Sequence, residues 1–144
     1  MLKPKGILQR IYTNTSIEIR CLEEPEQWIE FFEYFDEARN MYLPLYEGVR
    51  TNHAPSKRYL INALDVKESI IIPLVLTKTT VSHLIKFYEK FSTILDRNYK
   101  ITRTDTDFDT DYDIEPSSPS KLELNKYPKL NLMLSLENQV ILGF

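Results

Sequence analysis

Five aspartates occupy every second position of one stretch: Asp105, Asp107, Asp109, Asp111 and Asp113, with Thr106, Phe108, Thr110 and Tyr112 between them. An extended chain turns successive side chains to opposite faces, so this spacing predicts one acidic face and one face carrying Phe108, Tyr112 and Ile114. Side chains on a shared face stand about 6.6–7 Å apart, on the scale of the phosphate repeat of an extended nucleic-acid strand. Such a row can hold a cation, or it can imitate a phosphate backbone and meet a protein built to bind one. Aspartate is a poor strand former and neighbouring like charges repel, so the row costs more than a mixed polar face. The same pattern also keeps an edge strand from aggregating.

The cation chemistry meets a spacing test. A calcium loop of the EF-hand type needs acids at positions 1, 3 and 5, glycine at 6 and glutamate at 12. Counted from Asp105, position 6 is Thr110 and position 12 is Pro116; counted from Asp107 they are Tyr112 and Ser118. Both frames fail where the motif is most informative, and no metal is expected. A second set of carboxylates, Glu26, Glu30, Glu33 and Glu37, repeats at three- and four-residue steps. That spacing predicts the outer face of an amphipathic helix. Bases at i+4 are missing for Glu26, Glu30 and Glu33, which leaves the face open to a partner.

Other chemistries find little support. His53 and His83 stand apart from any further His or Cys at zinc-ligand spacing. His83 is expected on a helix flank, and His53 in a polar loop over residues 50–58. Cys21 is the one cysteine, so neither an internal disulfide nor a cysteine cluster can form, and a reduced, buried thiol is expected. The three glycines, Gly6, Gly48 and Gly143, are too few and too far apart for a phosphate-cradling loop. There is no Gly-x-Ser-x-Gly elbow. Asp111, Asp113, Glu123 and Lys126 are the available set for a metal-dependent nuclease, and their spacing matches no such pattern.

Two runs of acid dominate the charge. Residues 23–37 carry seven acids and residues 104–116 carry six, both without Lys or Arg. Setting these aside leaves 8 of the 21 acids against all 18 bases, a basic remainder of +10 on a chain whose net charge is −3. Charge segregation of this kind bears on partners rather than on fold. The bases are scattered, with no run longer than Lys57-Arg58, and the aromatics fall on expected core faces. Direct nucleic-acid binding is therefore not expected.

The elements that must position these groups follow from periodicity. With 144 residues, 42% of them hydrophobic, the chain suits one domain spanning residues 1–144 with a sizeable core. Residues 7–12 and 16–22 read as two strands joined at Thr13-Asn14-Thr15, the second showing Ile17, Ile19 and Cys21 in alternation with Glu18 and Arg20. A first helix is expected over 25–43, with Trp28, Phe31, Phe32, Phe35, Ala38 and Tyr42 as its apolar stripe. A loop follows over 44–57. Residues 59–64 and 69–77 read as strands, the latter bulged or at an edge because Pro73 lacks an N–H.

A second helix, capped by Thr79 or Thr80, carries Val81, Leu84, Ile85, Tyr88, Phe91 and Leu95, and Asn98 stops it. Residues 99–103 begin a strand that runs into the acidic strand or loop over 104–120. Leu130, Leu132, Leu134 and Leu136 alternate with polar positions as a further strand, with Glu137-Asn-Gln139 as a turn and 140–144 returning as a hairpin arm.

The expected fold is α+β: a mostly antiparallel sheet of five to seven strands with two amphipathic helices on one face. The longest apolar run, near 70–76, is too short to span a bilayer, so no membrane association and a cytoplasmic location are expected. The expected function is non-enzymatic protein binding. An acidic, phosphate-mimicking surface (Asp105, Asp107, Asp109, Asp111, Asp113, Glu26, Glu30, Glu33 and Glu37) would meet a basic, nucleic-acid-binding protein, as an inhibitor or immunity-type protein does, with no cofactor. The alternatives are a structural subunit of an oligomer and a small enzyme whose site assembles only in three dimensions.

Overall fold

The computed structural model describes residues 7–45, 51 and 54–142. Among the described residues eight strands join one mixed sheet: β1 (Gln9–Arg10), β2 (Ser16–Cys21), β3 (Ile29–Asp36), β4 (Met41–Pro44), β5 (Ser56–Asp65), β6 (Ile70–Thr77), β7 (Tyr99–Asp105) and β8 (Thr110–Pro116). Two helices accompany it, α1 (Lys78–Phe91) and α2 (Leu132–Leu142). The main path runs β1-β6-β5-β2-β7-β8. Every pairing is antiparallel except the short parallel contact of β1 with β6. The α+β class stands, with one more strand than the expected range.

β5 organises the sheet. Its N-terminal half pairs with β3, from Ile29↔Leu60 to Glu33↔Ser56, and its C-terminal end pairs with β2, from Ile19↔Asp65 to Cys21↔Ala63. Its other edge pairs with β6 along its length. The register runs unbroken through Pro73↔Asn62, which a proline permits when its nitrogen faces away from the partner strand. Of the two expected readings, bulge or edge, the ladder excludes the bulge; among the described residues the two-residue β1 pairs with β6 at Leu74 and Val75 and not at Pro73.

Alternation along β5 feeds two cores. Ile61 and Ala63 join Ile19, Cys21, Leu74, Leu84 and Ile101 under α1. Leu60, one position away, joins Leu8, Val75, Leu132 and Leu136 under α2. The helices therefore cover opposite faces of the sheet, not one face as expected, because β5 and β6 are apolar on both sides and each side needs a cover.

The helix expected over 25–43 is instead a 3-10 turn (Pro25–Gln27) followed by the β3–β4 hairpin. Its aromatics fit a helical stripe and a strand equally well, and the ladder to β5 decides. Trp28 enters the core under α1, whereas Ile29 and Phe31 pack toward α2. Adjacent residues go to opposite faces, as only a strand allows. Asn40, at φ 54°, makes the left-handed turn into β4.

β1 and β2 fall within the two expected strand segments and do not pair with each other: β2 lies between β5 and β7. The leucine alternation near the C-terminus is helical, because Leu132, Ser135, Leu136 and Gln139 share one buried face while Met133 and Leu134 are exposed. Asn131 starts α2, its side chain accepting from the Leu134 N–H at 3.1 Å. α2 runs through the expected turn at 137–139 to Leu142, and the last two residues of the expected hairpin arm lie outside the described residues. α1 is capped by Thr77, whose hydroxyl accepts from the Thr80 N–H at 3.3 Å, and it ends at Ser92 in the left-handed conformation. Both caps differ from those expected; of the expected stripe, Val81, Leu84, Ile85 and Tyr88 pack from α1 into the core, whereas Leu95 does so from beyond the helix end.

Candidate functional site

The aspartate row is a hairpin rather than a single strand. β7 and β8 pair from Tyr99↔Pro116 to Asp105↔Thr110, and residues 106–109 turn the chain. Thr106 N–H donates to the Asp109 carbonyl at 2.8 Å, and Asp109 N–H returns a bond to the Thr106 hydroxyl at 3.2 Å. Asp105 thus ends β7, Asp107 and Asp109 sit in the turn, and Asp111 and Asp113 lie on β8. Local hydrogen bonding by threonine and aspartate favours a turn over five like charges in line.

Their environments divide them. Asp105 is half-buried and takes Nε and one terminal nitrogen of Arg103, each at 3.1 Å. Hydrogen bonds from Thr13 and then Arg103 hold its carboxyl below the usual range. Asp107, Asp109, Asp111 and Asp113 are exposed, and Glu115 continues the row on β8. β8 ends the main path of the sheet, so this acidic row decorates an edge. Tyr112 and Ile114 pack against the core as expected, but Phe108 does not: at the tip of the turn it is 99% exposed.

The glutamate stripe is dispersed by the β3 fold. Glu26, in the 3-10 turn, accepts the Tyr88 hydroxyl at 2.6 Å, which keeps its carboxyl below the usual range. Glu30 is exposed and meets Lys57 at 3.3 Å. Glu33 is 2% exposed, and Glu37 lies in the turn between β3 and β4. A period of two puts Glu30 and Glu33 on opposite faces, so these residues make no common acidic surface. For Glu30 and Glu33 the bases lacking at i+4 come instead from tertiary neighbours, Lys57 for the first and Arg10 with Arg58 for the second.

Glu33 instead anchors a basic cavity that the sequence did not announce. Arg10 reaches it with two bonds, 3.1 and 2.6 Å, and Arg58 Nε with a third at 2.9 Å. The open cavity, of about 390 Å³, is lined by Arg10, Glu33, Tyr42, Arg58, Lys78 and Arg103, among others. The arginine at 58 stood out in the sequence only as part of a loop, whereas it lies on β5. The cations are spread from position 10 to position 103, a separation no local pattern can signal.

Among the described residues, no group of three His, Cys, Asp or Glu side chains could hold a metal ion, and no helix is long and apolar enough to cross a membrane. Glu123 pairs with Lys126 at 3.0 Å within an exposed segment. His83 is half-buried on α1, and His53 lies outside the described residues. No protein-family model matches this sequence, and no curated protein and no solved structure was found similar to it.

Proposed function

We propose that this chain is a non-enzymatic protein-binding module that receives a basic partner on the β7–β8 hairpin. The observation that carries this reading is Phe108, 99% exposed at the hairpin tip between Asp107 and Asp109. Guarding a sheet edge requires only the charges. An aromatic ring held in water at the centre of an acidic rim has the composition of an interface anchor, in which the ring supplies burial and the rim supplies register and steering.

Asp111, Asp113 and Glu115 extend the rim along β8 at about 6.6–7 Å intervals. A surface built for phosphates suits that row, so the partner class is a nucleic-acid-binding protein, and the role is that of an inhibitor or immunity-type protein. Cys21, a free and buried thiol, fits a reducing compartment such as the cytoplasm.

Capture from the native host extract with mass spectrometry tests this, using the wild type and the Asp107→Asn/Asp109→Asn/Asp111→Asn variant. The wild type retains a basic protein at low salt and releases it as salt is raised. The triple variant retains none, and its Tm is unchanged or higher because like charges have been removed. Equal capture by both proteins sinks the reading, as does a captured partner whose binding is indifferent to salt. Phe108→Ala weakens capture without altering stability.

A further inference from the structure

The positive charge left over outside the acidic blocks is partly gathered in one place. Arg10 on β1, Arg58 on β5, Lys78 at the start of α1 and Arg103 on β7 line the same open cavity of about 390 Å³. Two carboxylates answer these four cations. Glu33 is shared by Arg10 and Arg58, and Asp105 takes Arg103. Lys78 is exposed and has no ion-pair partner among the described residues. Among the described residues, these four cations therefore outnumber the carboxylates paired with them by two, around a cleft open to solvent, in a chain whose net charge is −3.

The arrangement also fixes the direction of the donors. Glu33, 2% exposed, locks the Arg10 guanidinium by a two-point contact, and Arg58 is held between Glu33 and the Lys57 carbonyl at 3.0 Å. Arg103 is held on one side by Asp105 and on another by the Ile11 carbonyl at 2.9 Å. Guanidiniums fixed in this way lose little freedom when they bind an oxyanion. Two guanidiniums on one buried carboxylate are costly alone, and an anion in the cavity relieves their mutual repulsion. The hydroxyl-bearing start of α1, at Thr77, Thr79 and Thr80, adds the positive end of the helix dipole to the same cavity.

We propose that this cavity binds a dianionic phosphate group, carried by a small phosphomonoester or present as free phosphate. The charge of such a group matches the excess of two cations among the described residues. A volume near 390 Å³ lies within the range of small-ligand sites and exceeds what the phosphate alone fills. Tyr42, whose ring lies 5.7 Å from the Arg10 guanidinium carbon, together with Ile11 and Val75, gives the remainder of the molecule a less polar wall. This site stands independently of the hairpin reading.

Calorimetric titration of the intact chain with inorganic phosphate and with phenyl phosphate at low salt tests the proposal. Saturable one-to-one binding of phenyl phosphate is expected at concentrations up to about 10 mM. Tighter binding of phenyl phosphate assigns the site to an organic monoester, and equal binding assigns it to free phosphate. Lys78→Gln, at an exposed position that the fold does not need, weakens either probe about 10-fold, the loss expected for one charge-assisted contact. Arg10→Gln weakens binding at least as much. No saturable binding of either probe overturns the proposal, and so does binding that Lys78→Gln leaves unchanged.

Discussion

Arg20 on β2 donates to the Ser120 carbonyl at 3.0 Å, which ties the centre of the sheet to the segment after β8, 100 residues away. The same guanidinium bonds Asn98 Oδ1 at 2.7 Å, the Leu95 carbonyl at 3.1 Å and the Ser120 hydroxyl. Arg20 is 3% exposed, so its donors must be met inside the protein, and these acceptors meet them. Burial lowers its pKa below the usual arginine value, and the charge of Asp96 opposes that shift. Arg20→Met removes the cation and all of its bonds to Leu95, Asn98 and Ser120. It is expected to cost about 3 kcal/mol in urea unfolding. Arg20→Lys recovers less than half of this loss, because an ammonium cannot span the same fork.

Glu33 presents the complementary case, a buried carboxylate between two guanidiniums. Glu33→Gln leaves Arg10 and Arg58 facing each other without an anion. Both arginines keep about a quarter of their side-chain surface in solvent, which limits the penalty to about 2–3 kcal/mol by denaturant titration. Added phosphate restores part of that stability if the cavity accepts it.

Tyr99 is fully buried, and its hydroxyl has no hydrogen-bond partner. Burial pushes its pKa up to about 12, with the Cys21 charge as the next cause. Only the protonated form is tolerated inside, so its contribution to stability is complete below the unfolded value of about 10 and is lost as pH rises toward the folded value. Tyr99→Phe is expected to stabilise the protein at neutral pH by about 1 kcal/mol, because it removes a buried hydroxyl that bonds nothing. It also flattens the alkaline limb of the Tm-against-pH curve. A Tm that falls at neutral pH would show that the hydroxyl has a partner in solution.

Cys21 has no exposed surface, and burial raises its thiol to about 12. The thiolate is the reactive form, so the native protein is expected to resist a disulfide-exchange reagent at pH 8 while guanidinium-unfolded chains react at once. Labelling monitored by absorbance distinguishes the two. Rapid labelling of the native protein would place the thiol at the surface.

The sequence by itself determined the elements whose burial has one face. Ile17, Ile19 and Cys21 announced β2, and Val81, Leu84 and Tyr88 announced α1, because each segment buries a single stripe and so shows one period. The acidic stretch was legible as a feature, but its turn was not. Whether threonine and aspartate extend the strand or cap a hairpin depends on where β7 finds its partner. Residues 29–36 and 132–142 carry an ambiguous pattern for a shared reason. β3 sends apolar groups to both faces and α2 spaces its leucines ambiguously, so both periods fit until neighbouring strands choose between them. Tertiary structure alone decided that Glu33 is buried, that Arg10, Arg58, Lys78 and Arg103 share a cavity, and that Phe108 is left in water. The first two are relations between positions far apart in the chain, and the third follows from where β7 turns back into β8; strand pairing sets all three.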